Sequence, residues 1–198
     1  THVRVTNIAF PNFFIIPLSD EMTITQWHVP VDDVTNYWYA IFTSFAGPVD
    51  KKSMRDQRLA QYELPDYRST RNRANSYGYD PLEQKTKTYL GMGLDVNAHD
   101  QWAIESQGLI QDRTREHLGQ SDKAIIAYRR ILRAEIDKVL AGGRPMMAID
   151  GAKARAMRGP VVVDGLARGV ETVKFWKAYD EKRRAAAPWP SQPPLAAE

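Results

Sequence analysis

The 198-residue sequence predicts an α+β fold, and three observations carry that prediction. Apolar residues recur with a period of two through the stretch ending at Phe45. Short turn signals separate these segments, which favours an antiparallel meander over parallel strands with long crossovers. The longest three- and four-residue apolar period comes late, after Ser121, so strands come first and long helices last.

Taken in order, His2–Phe10 alternates and is rich in Val and Ile, and Pro11-Asn12 ends it. Phe13–Leu18 forms the next strand, closed by the turn residues Ser19-Asp20-Glu21. Met22–Val29 places Met22, Ile24, Gln26 and His28 on one face and Thr23, Thr25, Trp27 and Val29 on the other. After the Pro30–Asp33 turn, Val34–Phe45 is a strand dense in aromatic residues, which serve either as core or as pocket lining. Pro48 and Asp50 open a polar helix, Lys51–Gln61. Leu64–Asp80 has no apolar period and reads as a long surface loop, either a solvated excursion or a loop for substrate entry or subunit contact. Gln84–Gly91 returns to strand-like alternation.

Farther along, Gly108 breaks a short helix that holds Asp100, and a charged loop, Gln111–Gly119, follows it. Ser121 is expected to cap a long amphipathic helix with Ile125, Tyr128, Leu132, Ile136 and Val139 inward. Gly142-Gly143 and Pro145 stop it. Arg144–Gly169 is loop-like with a short strand at Val161–Val163, and Val170–Arg184 is a second amphipathic helix. The four prolines of Pro188–Pro194 predict an extended tail.

Composition narrows the function classes. Hydrophobic residues make up 43% and charged residues 26%, ordinary for a globular chain with a sizeable core. The net charge is only +3, and the basic residues are interleaved with acids, so nothing marks a nucleic-acid surface. No apolar run approaches the ~20 residues of a membrane span, and no segment has the pattern of a secretory signal. With no cysteine, these residues form no disulfide, zinc-thiolate or iron–sulfur site, and the expected setting is reducing and cytoplasmic.

The chemistry-bearing stretch is Asn97–Asp122, NAHDQWAIESQGLIQDRTREHLGQSD. If Asn97 caps its helix, Asp100 is the third helical residue, where an acid completes a capping box with no metal involved. His99 is adjacent but points roughly 100° away on a helix, so the two form a weak ligand pair. Glu105 reads as a solvated or salt-bridged helix residue. Arg113 and Arg115 can pair with Asp112, Glu116 or Asp122, and His117 can bond backbone carbonyls. That loop reads as scaffolding, with subunit contact and direct hydrolytic chemistry as the alternatives. No nucleophile motif accompanies it.

Over Asp100–Arg130, the run ESQGLIQDRTREHLGQSDKAIIAYRR and the acid before it resemble one known family. It is the C-terminal part of the catalytic domain in Rieske-type ring-hydroxylating oxygenases, of the phthalate 4,5-dioxygenase-like branch. The resemblance implies the second half of a helix-grip (START-like) fold, a curved antiparallel sheet covered by helices. It makes residues 1–187 part of the iron-binding domain and 188–198 a proline-rich tail, with the Rieske domain expected upstream. It implies a mononuclear Fe(II) held by two His and one carboxylate, with Asp100 the matching carboxylate and both His ligands upstream. His2 and His28 lack the family's close-spaced pair, and neither His99 nor His117 fills the vacancy. Gln107 and Asn97 are the candidates for hydrogen-bonding a ligand. A [2Fe-2S] Rieske cluster needs two Cys and two His, so it too belongs upstream.

In that family electrons pass from NAD(P)H through a separate flavin/iron–sulfur reductase to the cluster and then to the iron. Dioxygen is then used to hydroxylate or O-dealkylate an aromatic, carboxylated substrate, in a homotrimer. Two alternatives remain open. One is a stand-alone helix-grip module that encloses an apolar ligand without redox activity, and the other is one half of a split oxygenase. A sheet edge left uncovered in these residues predicts association with a partner.

Overall fold

Nine residues at the start of the chain serve two different sheets. In the computed structural model, which describes residues 1–157, 161–169 and 171–188, strand β1 is His2–Val5 and β2 is Asn7–Ala9. Val5 pairs with Val163, whereas Asn7, two residues on, pairs with Ile15. The single strand expected over His2–Phe10 is therefore broken at Thr6.

The chain divides into two units, Thr1–Val49 with His117–Glu198, and Asp50–Glu116. In the first, β2 joins β3 (Phe13–Pro17), β4 (Met22–Pro30) and β5 (Asn36–Ser44) in one antiparallel sheet of order β2-β3-β4-β5. Ile24 on β4 faces Ile16 on one side and Phe42 on the other. Ile24 and Ile15 are buried on opposite faces, since Ile24 shares a face with Ile16 and Ile15 with Thr25, so both faces of the sheet carry covered residues. Among the described residues β5 is an end strand, and it exposes Tyr37, Tyr39 and Ile41.

Strand β1 pairs antiparallel with β8 (Val163–Leu166), and the amino terminus donates to the Ala167 carbonyl at 2.9 Å. Helix α6 (Thr172–Ala186) lies against this ribbon. A Cβ on Gly165 would sit 3.0 Å from the Phe175 ring, so glycine is what permits the close approach. Asp180 on α6 is only 1% exposed, and it accepts from Arg184 Nε at 2.7 Å and from Arg183 Nη2 at 3.3 Å. The buried Arg183 also lies 3.8 Å over the Phe45 ring, a cation–π contact on which its Nε and Nη1, without hydrogen-bond partners, rely.

Helix α4 (Lys123–Leu140) forms as its period requires, but none of its residues is buried. Ile125, Tyr128 and Leu132 are half-covered, while Ile136 and Val139 are each 47% exposed. Its Tyr128 hydroxyl donates to the Pro11 carbonyl at 2.5 Å. The expected Ser121 cap is replaced by a 3-10 turn over Gln120–Asp122, in which the Asp122 carboxylate accepts from the Gly119 amide at 2.8 Å. The short helix α5 (Gly151–Ala156), capped by Asp150, occupies part of the expected 144–169 loop. The expected strand at Val161–Val163 forms two residues later, as β8. Of the proline-rich tail, all but Pro188 lies outside the described residues.

The second unit begins with α1 (Lys51–Leu59), whose Asp50 cap accepts from the Lys52 and Ser53 amides, both at 3.1 Å. The expected 64–80 loop is instead a small hairpin, β6 (Tyr62–Glu63) with β7 (Arg68–Ser69), and then a 3-10 segment, Arg73–Gly78. The expected strand over Gln84–Gly91 is also corrected. Asp80 caps a helix, α2 (Pro81–Thr86), with proline at the first position. Gly91, at φ +66, lies so close to the Asp80 carbonyl that a Cβ would be 2.6 Å from it. Helix α3 (Val96–Glu105) completes the unit.

Removing one partner of a buried ion pair costs about 3–5 kcal/mol. Asp180→Ala is therefore expected to lower the urea-unfolding free energy by roughly that much. A loss under about 1 kcal/mol would mean the two arginines find other partners.

Candidate functional site

Helix α3 starts two residues earlier than its sequence suggests. Asp95, not Asn97, is the cap, and its carboxylate accepts from the Asn97 amide at 3.1 Å. An ion pair with Arg58 at 3.6 Å holds that carboxylate. Asp100 is therefore the fifth helical residue rather than the third, past the capping-box position, and its side chain is exposed. A fifth-position acid is not explained by capping.

His99 is half-buried, and its ring is engaged by the backbone, with Nε2 3.0 Å from the Gly93 carbonyl. A carbonyl only accepts, so Nε2 carries the proton there. The loop that presents Gly93 is itself tied down. Glu83 Oε1 accepts from the Gly93 amide at 2.7 Å and from the Thr88 hydroxyl at 2.6 Å, and the Arg71 guanidinium donates to the Met92 carbonyl. The Thr88 hydroxyl first, then the Gly93 amide, hold the Glu83 carboxyl below its usual range.

The far end of α3 is held by Glu105. Its Oε2 accepts from the Tyr77 hydroxyl at 2.8 Å and its Oε1 from Gln101 Nε2 at 2.9 Å. Its carbonyl accepts from Arg73 Nη2 at 2.5 Å. Tyr77 is only 4% exposed, and burial first, then the Glu105 carboxylate, raise its phenol above the ordinary value, so it remains a donor. Glu105 is exposed, as expected of a solvated helix residue, but its bond to Tyr77 joins residues 28 apart and has no local signature in the sequence.

The remaining candidates are placed elsewhere. Gln107 is exposed and donates to the Ala103 carbonyl at 3.0 Å, closing the end of its own helix. Asn97 is half-buried inside α3. Asp112 caps a 3-10 turn, Arg113–Arg115, and is held below the usual carboxylate range by the Thr114 hydroxyl first and then the Thr114 amide. Arg113 pairs with Glu116 at 3.4 Å, which bears out part of the pairing expected of that loop. His117 is exposed. His2 is paired with Asp164, and His28 lies edge-on to Phe14 at 5.4 Å.

Among the described residues, no group of three or more His, Cys, Asp or Glu could hold a metal ion. What they offer an iron is one exposed carboxylate on a helix tied at both ends. That fits a single position of a two-His, one-carboxylate site, not the complete set. Among the described residues no helix is long and apolar enough to cross a membrane.

Residues 1–187 match the family described as LigXa C-terminal domain like, and the chain belongs to that family. It is also 29% identical, over 138 residues, to the phthalate 4,5-dioxygenase oxygenase subunit of Pseudomonas putida. The alignment covers 66% of this chain and 30% of that subunit, so the chain spans well under half of its curated relative's length. Together the two matches support a Rieske-type oxygenase catalytic domain, the resemblance carried by Asp100–Arg130.

The depressed Glu83 carboxyl has a pH signature. A carboxyl held below its unfolded value, about 4.3, stabilises the fold above that pH, and the gain is lost as pH falls through the folded value. The melting-temperature gap between the wild type and Glu83→Gln is therefore expected to be widest near neutrality and to close toward pH 3. A gap that is constant with pH would contradict the assignment.

Proposed function

We propose that this chain is the C-terminal part of the iron-binding catalytic domain of a Rieske-type aromatic-ring oxygenase, and that Asp100 is its contribution to the iron site. The single observation that carries the proposal is the placement of Asp100. It is an exposed carboxylate at the fifth position of a helix anchored at both ends, in a chain that matches its family from residue 1 to 187. The antiparallel sheet followed by long helices is compatible with the second half of a helix-grip fold.

In this reading the two His ligands and the [2Fe-2S] cluster come from sequence upstream, and electrons arrive from NAD(P)H through a separate reductase. Bound beside Asp100, a ferrous ion supplies the means of activating dioxygen. The chain's own residues hold the site in shape. Asp100 gives one anionic oxygen ligand, and the protonated Nε2 of His99 keeps the ring on the Gly93 carbonyl. The Asp95 cap and its Arg58 partner fix the start of the helix. The substrate class is an aromatic carboxylate or aryl ether, hydroxylated or O-dealkylated, and the assembly is a cytoplasmic homotrimer. The relative named above is a phthalate dioxygenase subunit, which supports the substrate class.

Asp100→Ala in the complete oxygenase provides the test. The variant is expected to lose about one iron per chain and all product formation, while the visible absorption of the cluster persists. A variant that keeps its full iron content and turns over substrate would overturn the proposal. A wild-type protein that never binds iron would favour the binding-module alternative.

A further inference from the structure

Helix α3 lacks the apolar footing that ordinarily fixes a helix, since Ala98 is its only buried residue. Its rotation must be set by polar contacts, and the densest of these gather on Glu105. Both carboxylate oxygens are used, one by Tyr77 and one by Gln101, and the backbone carbonyl accepts from Arg73 and from the Gly108 amide. Tyr77 reaches Glu105 from an unusual backbone. Ser76 and Tyr77 have φ of 53° and 57°, a left-handed pair of non-glycine residues. Such conformations persist only where the surroundings hold them, and they cluster at functional sites. The segment is braced for this: Asn72 and Asn75 cap each other, and Asn75 Nδ2 donates to the Thr70 carbonyl at 2.7 Å.

The direction of the clamp matters. Five residues at about 100° each put Glu105 roughly 140° around the helix from Asp100. The buried Tyr77 hydroxyl therefore holds a side of the helix that Asp100 does not share, and both Glu105 and Asp100 stay exposed.

We propose that Tyr77 and Glu105 are positioning residues, a lock that sets the rotation of α3 and so aims the Asp100 carboxylate at the metal. This inference rests on Asp100 being an iron ligand. Neither residue touches the iron; each acts through the helix.

The test uses the complete oxygenase, stripped of its mononuclear iron and titrated with ferrous ion. Tyr77→Phe, Glu105→Ala, Glu105→Gln and Asp100→Ala are compared with the wild type. Melting temperatures and the electron paramagnetic resonance of the ferrous protein with nitric oxide are recorded alongside. Tyr77→Phe and Glu105→Ala are expected to weaken iron binding about 10- to 100-fold and to change the rhombicity of the resonance. Glu105→Gln keeps an oxygen for the Tyr77 hydroxyl and is expected to bind within about threefold of the wild type. Iron affinity and resonance unchanged in Tyr77→Phe, whatever its melting temperature, would reduce the contact to a structural anchor and overturn the lock. If Asp100→Ala loses iron while Tyr77→Phe binds normally, the lock alone fails. If Asp100→Ala keeps its iron, the ligand reading fails, and the lock with it.

Discussion

A helix with one buried residue cannot be aimed by apolar packing. That constraint governs α3, where only Ala98 is buried and polar contacts tie both ends of the helix. Hydrophobic burial is nondirectional and tolerates sliding and rotation, whereas hydrogen bonds specify an orientation. The small unit around α3 is built accordingly. Asp50, Asp80 and Asp95 cap its three helices, Arg58 pairs with Asp95, Glu83 and Arg71 pin the Met92-Gly93 turn, and Glu105 closes the far end. Polar ties of this kind are individually modest, so the geometry at Asp100 depends on the set rather than on any one.

The first unit follows the other logic. Val3, Ile15, Ile24, Val162, Val163 and Ala167 form an apolar core, and two buried charges, Asp180 and Arg183, pair with each other beside it, with Arg184 also on Asp180 and the Phe45 ring under Arg183. Beyond that core the unit leaves much apolar surface outside. Ile136, Val139, Tyr37, Tyr39 and Ile41 are all substantially exposed, and β5 ends its sheet among the described residues. An exposed apolar end strand is a liability that proteins ordinarily cover.

What the sequence made legible was what local pattern encodes. Strands β3 to β5 were found within two residues at each end because alternation and turn residues mark them. Helix α1 and the long helices α4 and α6 were found because their periods are long enough to count. Helix α2 was missed although Asp80-Pro81, with Glu83 two residues on, is a start signal, because the later alternation outweighed it. The hairpin of β6 and β7 is too short to show a period. At the site, Asp100 was visible only through resemblance, since one acid on a short helix is ordinary. The contact between Tyr77 and Glu105 was invisible, because a hydrogen bond between distant residues is a product of the fold and leaves no spacing to read.

The most direct measurement of the central claim is the intact mass of the natural polypeptide carrying this chain, with iron and acid-labile sulfide counted in the same sample. The account predicts a polypeptide well beyond 22.5 kDa holding about three irons and about two sulfides, a cluster plus one mononuclear site. A polypeptide with a full cluster and no third iron would contradict the claim that Asp100 serves a metal.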